Sequence, residues 1–192
     1  MDAFLLSFGV ILIAELGDKS QLMALAFATR YRAVTVLAAV TVATLIVHAG
    51  SVLLGTAAAL ALPAGVINVA AGLAFFGFAL WTLRGDVLGE REERRVARGG
   101  RRAMLTIGTA FFLAELGDKT MLATITLATT EEPIGTWLGS TAGMVAADAI
   151  AIGIGALMGA RLPERAIRLF AAGAFVVFGA VLVAEGLGVV RF

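Results

Sequence analysis

Ala14-Glu15-Leu16-Gly17-Asp18-Lys19 decides how this chain reads, because the same six residues return as Ala114-Glu115-Leu116-Gly117-Asp118-Lys119. The match continues outward at one constant offset of 100: Ser20 with Thr120, Leu22 with Leu122, Ala28-Thr29 with Ala128-Thr129. Six identical residues carrying three charges do not recur by chance inside apolar sequence. The chain therefore reads as two copies of one unit.

The surroundings of the motif are those of a membrane protein. Of 192 residues, 60% are hydrophobic, and the mean hydropathy is +0.96. A soluble domain is nearer 45–50% apolar. Six apolar stretches appear, at about 3–29, 33–60, 65–83, 103–129, 134–159 and 166–188, each near the roughly 20 residues that a bilayer core requires. Arg30-Tyr31-Arg32, Leu62-Pro63-Ala64-Gly65, the charged run from Arg84 to Arg102, Glu131-Glu132-Pro133 and Arg161-Leu162-Pro163-Glu164-Arg165 separate them. Helices satisfy their own backbone in lipid, and no stretch shows the alternation of a barrel strand. The expected fold is an all-α membrane protein of six transmembrane helices in two inverted three-helix repeats. Residues 1–83 form the first repeat, 84–102 a charged cytoplasmic linker, and 103–192 the second repeat.

Orientation follows from the basic residues. The first, third and fifth loops hold Arg30 and Arg32; Arg84, Arg91, Arg94, Arg95, Arg98, Arg101 and Arg102; and Arg161, Arg165 and Arg168, against Arg191 alone on the other side. Odd loops are thus expected in the cytoplasm and both termini outside. The N-terminal stretch lacks a basic flank and exceeds a signal's apolar core, so it reads as a retained helix. An odd number of helices per unit turns the second copy over, the arrangement in which secondary transporters place their site at the repeat interface. Glu90-Arg91-Glu92-Glu93-Arg94-Arg95 reads first as a solvated linker that fixes topology, and second as a lipid-headgroup or regulatory segment.

In an unbroken helix Glu15 and Asp18 share a face, and Lys19 stands four residues from Glu15, the spacing of an intrahelical ion pair. Glu115, Asp118 and Lys119 repeat this. A charge at the bilayer centre costs roughly 2.5–3.5 kcal/mol on insertion scales, so four carboxylates and two ammoniums must face one another, water or an ion. Gly17 and Gly117 permit close approach or local unwinding. Ser20, Thr120 and Gln21 add neutral oxygens. Hard oxygen ligands with carboxylate charge suit Ca²⁺, Mn²⁺ or Mg²⁺. The bland alternative is a buried ion-pair network that only locks the units together, a task that apolar packing performs as well.

His48 and Asp148 stand at equivalent positions in the second helices, as do Gly55 and Gly155. They read as further ligands or proton carriers, or more plainly as a hydrogen-bonded interior histidine and a snorkelling aspartate. Glu185 falls near a helix end and is expected exposed. Gly153, Gly155 and Gly159 read as helix-packing positions. Phe75, Phe76, Phe111, Phe112 and Phe175 read as core or lipid-facing, and Trp81 and Trp137 as interfacial. With no cysteine and one histidine, thiolate sites, disulfides and multi-histidine zinc sites are excluded. The net charge of +1 selects for no nucleic acid, and no nucleophile–base pair suggests an enzyme.

The duplicated Glu-x-Gly-Asp-Lys-Ser/Thr, at Glu15 to Ser20 and Glu115 to Thr120 in the first and fourth of six helices, resembles the signature of the Gdt-type Ca²⁺/Mn²⁺:proton antiporters, within the wider group of LysE-type exporters. The resemblance covers essentially the whole chain. Gln21-Leu22 after the first copy is similar to the bacterial branch, which implies manganese export across the bacterial inner membrane. It implies Glu15, Asp18, Glu115 and Asp118 as metal ligands and proton carriers, with Lys19 and Lys119 balancing charge. Mn²⁺ or Ca²⁺ would be cargo, with no resident cofactor, and a homo-oligomer is left open. A LysE-like exporter of small organic solutes and a divalent-cation channel are the competing readings.

Overall fold

The computed structural model describes residues 2–84, 103–158 and 164–189. The linker 85–102, with its proposed helical continuation, and the break at 159–163, with Gly159 and Arg161, lie outside the described residues, as does Arg191. Eight helices are seen among the described residues: α1 Ala3–Glu15, α2 Lys19–Ala28, α3 Ala33–Ala61, α4 Ala64–Arg84, α5 Ala103–Glu115, α6 Lys119–Thr130, α7 Pro133–Met158 and α8 Glu164–Gly186. Four of them contain a segment long and apolar enough to cross a bilayer: Ala33–Ala61, Ala64–Arg84, Pro133–Ile154 and Leu169–Gly186.

The expectation of unbroken helices over 3–29 and 103–129 is corrected. Each stretch is two half-helices, α1–α2 and α5–α6, divided at the repeated motif. The reason is local. Gly17 and Gly117 take φ of 76° and 78°, a left-handed conformation that ends a helix and that glycine adopts at little cost. Asp18 and Asp118 follow in extended conformation, at the N-cap positions of α2 and α6, where aspartate is favoured. The motif is thus a helix stop followed by a helix start. Other boundaries have equally plain causes. Leu62 is extended before Pro63. Pro133 opens α7 at the first helical position, with the Glu132 carboxylate accepting from the Ile134 and Gly135 amides at 2.8 and 2.6 Å.

The two units exchange partners. α1 packs on α7, and α3 packs on α5 and α6. Gly139 meets Phe4 and Gly143 meets Phe8 and Leu12, so α1 runs parallel to α7. Gly108 meets Ala39, and Gly55 meets Ile125 and Ala128, so the α5–α6 pair runs parallel to α3. α4 and α8 pack antiparallel, since Gly72 faces Gly179 while Gly65 faces Gly186. Small residues at these contacts let backbones approach closely, as in membrane helix pairs.

Two apolar clusters fill the interior. Met23, Ala24, Phe27, Val36, Val40, Ile107 and Phe111 form one, around α2, α3 and α5. Val10, Ile11, Phe75, Leu127, Met144 and Phe175 belong to the other, around α1, α4, α6, α7 and α8. Phe75, Phe111 and Phe175 are therefore core. The Trp137 indole N–H donates to the Leu45 carbonyl at 2.9 Å and ties α7 to α3. Outward lie Leu53, Leu80, Leu105 and Val177, each more than half exposed, an apolar surface of the kind that lipid covers.

Adding a single methyl at Gly139 places it 2.3 Å from the Phe4 carbonyl oxygen, whereas one at Gly77 meets nothing within 4 Å. Gly139→Ala should therefore destabilise the protein by roughly 1–3 kcal/mol, the usual range for overpacking. Gly77→Ala should be neutral or mildly stabilising, as in any helix interior. Thermal unfolding of the two variants in one detergent checks the contrast.

Candidate cation site

The two helix breaks meet. Glu15 ends α1 and Glu115 ends α5, both with side chains turned inward and at most 1% exposed. Asp18 and Asp118 stand at the starts of α2 and α6 and make no side-chain cap hydrogen bond there, which leaves their carboxylates available to the centre. Carboxylate oxygens of Glu15, Glu115 and Asp118 lie within 4.8 Å of one another. Each unit thus contributes to one shared cluster.

The intrahelical pair expected between Lys19 and Glu15 is corrected, because the helix that would have formed it is interrupted. Each lysine instead crosses to the aspartate of the other copy: Lys19 Nζ lies 2.8 Å from Asp118, and Lys119 Nζ 2.5 Å from Asp18. Lys19 keeps a partly exposed side chain, while Lys119 is buried. Four carboxylates and two ammoniums leave a formal charge of −2 at the centre when all are ionised. Glu15 feels Asp18, Asp118 and Lys119, and Glu115 feels Glu15, Asp118 and Asp18, so the groups form one electrostatic unit.

The hydroxyls beside the acids fix their orientation. Ser20 donates to Glu15 in a short hydrogen bond and also lies 3.3 Å from Asp18 Oδ2. Thr120 donates to Glu115 Oε2 at 2.9 Å. In both glutamates the second oxygen, Oε1, is buried without a hydrogen-bond partner. An unsatisfied buried carboxylate oxygen is costly, and a cation bound beside it would relieve that cost.

Gln21 has a structural task at the first helix break. Its Oε1 accepts from the Gly17 amide at 2.8 Å, and its Nε2 donates to the Ala147 carbonyl at 3.0 Å. Both ends of the amide serve backbone, bracing the first helix break against α7. Sequence reading missed the counterpart: Met121, at the same offset of 100, receives the Gly117 amide on its sulfur at 3.1 Å. The repeat alignment was the signal that could have found it.

The second-helix pair divides. Asp148 is fully buried, neither of its oxygens has a hydrogen-bond partner, and Glu15 is the charged group that acts on it. It is an interior carboxylate beside the cluster and does not snorkel. His48, 1% exposed, places Nδ1 3.3 Å from Thr141 Oγ1. Thr141 Oγ1 also lies within hydrogen-bond distance of the Trp137 carbonyl, 2.9 Å away. His48 thus bonds across to α7 and stands outside the three-carboxylate set. Glu185, expected exposed, is only partly so and shares a cavity of about 310 Å³ with Glu131 and Asn68.

Comparison with known proteins identifies a family. The family described as "Divalent cation/proton antiporter GDT1" matches residues 3–90 and 103–189, one stretch per unit. A Vibrio cholerae protein named "Putative manganese exporter" is 35% identical over 178 residues, covering 91% of this chain and 87% of its own length. "GDT1-like protein 2, chloroplastic" of Oryza sativa is 29% identical, covering 91% of this chain and 59% of its own length. "GDT1-like protein 3" of Arabidopsis thaliana is 27% identical, covering 86% and 65%. No solved structure matches. The family match along both units, together with the 35% identity to the Vibrio cholerae protein over most of both chains, places this chain in the GDT1 family of divalent cation/proton antiporters.

Proposed function

We propose that the protein exports a divalent cation, Mn²⁺ foremost and Ca²⁺ second, from the cytoplasm in exchange for protons. The observation that carries this reading is the convergence of Glu15, Glu115 and Asp118 within 4.8 Å, buried inside an apolar bundle. A formal charge of −2 is what one divalent ion neutralises. Oxygen-only donors favour hard cations. Glu15, Glu115 and Asp118 would hold the ion, with Asp18 joining as Lys119 releases it. Ser20 and Thr120 would orient the glutamates. Lys19 and Lys119 would limit repulsion in the empty centre. Asp148 would serve as a reserve carboxylate beside Glu15.

Exchange follows from competition. Metal binding requires deprotonated ligands, so a cation that enters expels the protons the empty carboxylates hold, and protons that return expel the cation. The half-helix ends at the centre add fixed partial charges, amide ends at α2 and α6 and carbonyl ends at α1 and α5.

The membrane arrangement we propose is six crossings, with α1–α2 and α5–α6 each spanning as a broken pair. Residues 1–83 and 103–192 would be inverted repeats joined by a cytoplasmic linker, 84–102, in the bacterial inner membrane with both termini outside. The antiparallel packing of α4 on α8 and the reciprocal parallel pairings support the inversion, and the segregation of arginines supports the orientation. Alternating access would come from one unit rocking against the other about the shared carboxylates.

Purified protein in sealed liposomes loaded with a pH-sensitive dye tests the exchange. Adding Mn²⁺ outside should drive protons out, and Glu15→Gln or Glu115→Gln should abolish this while the protein remains inserted. Full proton movement in both variants would reject the carboxylate mechanism. Metal entry without proton movement would point to a channel. Calorimetric titration supplies a second check. Because protons compete with the cation, affinity should fall as pH is lowered, by up to about tenfold per pH unit for each proton displaced. Affinity that is flat with pH would uncouple metal from proton.

A further inference from the structure

The repeat makes the molecule its own control, because each position in one unit has a counterpart in the other. Ser7 on α1, Thr124 on α6, and Thr136 and Ser140 on α7 are all fully buried, and their hydroxyls have no hydrogen-bond partner. On α7, Thr136, Ser140, Met144 and Asp148 follow at intervals of four, one stripe of the helix, and on α1 Ser7, Ile11 and Glu15 do the same. Ile11 and Met144 share one apolar cluster with Ala123 of α6. The three helices therefore converge, and the hydroxyls lie along them between the carboxylate centre and the end where α1 and α7 begin.

The counterparts of these four residues are Ile107, Ala24, Val36 and Val40. They too are fully buried, but as members of the apolar cluster that includes Phe27 and Phe111. Among the described residues of α2, α5 and the first half of α3, no buried hydroxyl lacks a partner. The pseudo-symmetry thus holds for backbone packing and fails for chemistry at these four positions: unsatisfied hydroxyls line one half where the other presents hydrocarbon.

The two linings respond oppositely to water. A buried hydroxyl without a partner is relieved when water or a cation reaches it. A close-packed cluster of valine, isoleucine and phenylalanine loses its burial when wetted. Hydroxyl oxygens can also replace part of a divalent ion's hydration shell in transit. The cavity lined by Glu131, Glu185, Asn68, Thr129 and Thr130, of about 310 Å³, adjoins the C-terminal end of α6 and gives that half a polar mouth.

We infer that the two gates are unequal: the ion-free protein opens at the α1–α6 half, across Ser7, Thr124, Thr136 and Ser140, while Ala24, Val36, Val40 and Ile107 hold the α2–α5 half shut. This rests on the transport reading of the carboxylate centre, and it assigns those four hydroxyls as the lining of the route by which the cation leaves. For an exporter the bias has a direction. The empty carrier waits open on the release side, and the dry gate yields only as the loaded cycle demands.

The chain has no cysteine, so the native sequence is the background for single-cysteine probes. Ser7→Cys, Ser140→Cys and Thr136→Cys are compared with Ala24→Cys, Val36→Cys, Val40→Cys and Ile107→Cys in full-length protein in liposomes. The probe is 2-sulfonatoethyl methanethiosulfonate, without metal, and modification is read by mass. The first group should react at least about tenfold faster than the second, the ratio of a population difference between two openings. Isosteric Thr136→Val, added to Ser140→Cys, should slow its modification. Equal rates, a reversed order or no reaction in either group would overturn the inference, as would a Thr136→Val variant without effect. The readout involves no cation. Failure of Mn²⁺ transport with the cysteine pattern intact would reject the cargo and leave the gates unequal. A flat pattern in a protein that transports would reject the gates alone.

Discussion

Two crossed ion pairs, Lys19 with Asp118 and Lys119 with Asp18, are the constraint on which the rest of this structure depends. Charges this deep in an apolar bundle persist only when paired and hydrogen-bonded. Because each pair takes one member from each unit, each aspartate is ion-paired with the lysine of the other copy. The helix breaks must therefore meet, and they can meet only if α1–α2 and α5–α6 leave their own units and pack on α7 and α3. The exchanged helices, the glycine contacts that bring them close and the shared carboxylate centre follow from one electrostatic demand.

That demand also explains why the motif reads as it does, residue by residue. Glycine ends the half-helix, aspartate starts the next, and the glutamate before the break is left at a helix end facing inward. Serine or threonine two residues after the aspartate returns a hydrogen bond to that glutamate. Lysine sits where the second half-helix begins, so that its long side chain reaches the opposite copy. The glutamate, glycine, aspartate, lysine and hydroxyl positions thus each have a separate mechanical reason. Their repetition is then a repetition of one device, which had to be built twice to close around one centre.

Much of this was legible in the residues. Apolar stretches, proline breaks and the offset of 100 located the helical segments and the units, and the buried charges located the centre. What escaped was the path of the chain through the motif. Apolar periodicity continues on both sides of Gly17, so hydropathy alone reads one helix, and the intrahelical lysine–glutamate pair followed from that reading. The positive φ of Gly17 is what breaks it; the sequence offered local unwinding at this glycine beside close approach, and did not choose between them. The bracing role of Gln21 was hidden for a related reason: a helix break leaves an amide N–H at Gly17 that needs an acceptor, and Gln21 supplies it. The His48 contact with Thr141 spans 93 residues, and it and the approach of Asp148 to Glu15 depend on the exchange of helices, which no local pattern encodes.

The exchange of helices has a consequence for how the protein is made. Glu15, Asp18 and Lys19 emerge from the ribosome early, but Lys119, which neutralises Asp18, and the glycines of α7 that receive α1 are synthesised more than a hundred residues later. Throughout that interval the first unit holds its charges and its broken helix without their eventual neighbours. It must wait at the membrane in a provisional form, with the charged turn still hydrated or held by the insertion machinery. Biogenesis of the first half is therefore completed only by the second, and a chain truncated before α7 leaves behind a segment that has nowhere to settle.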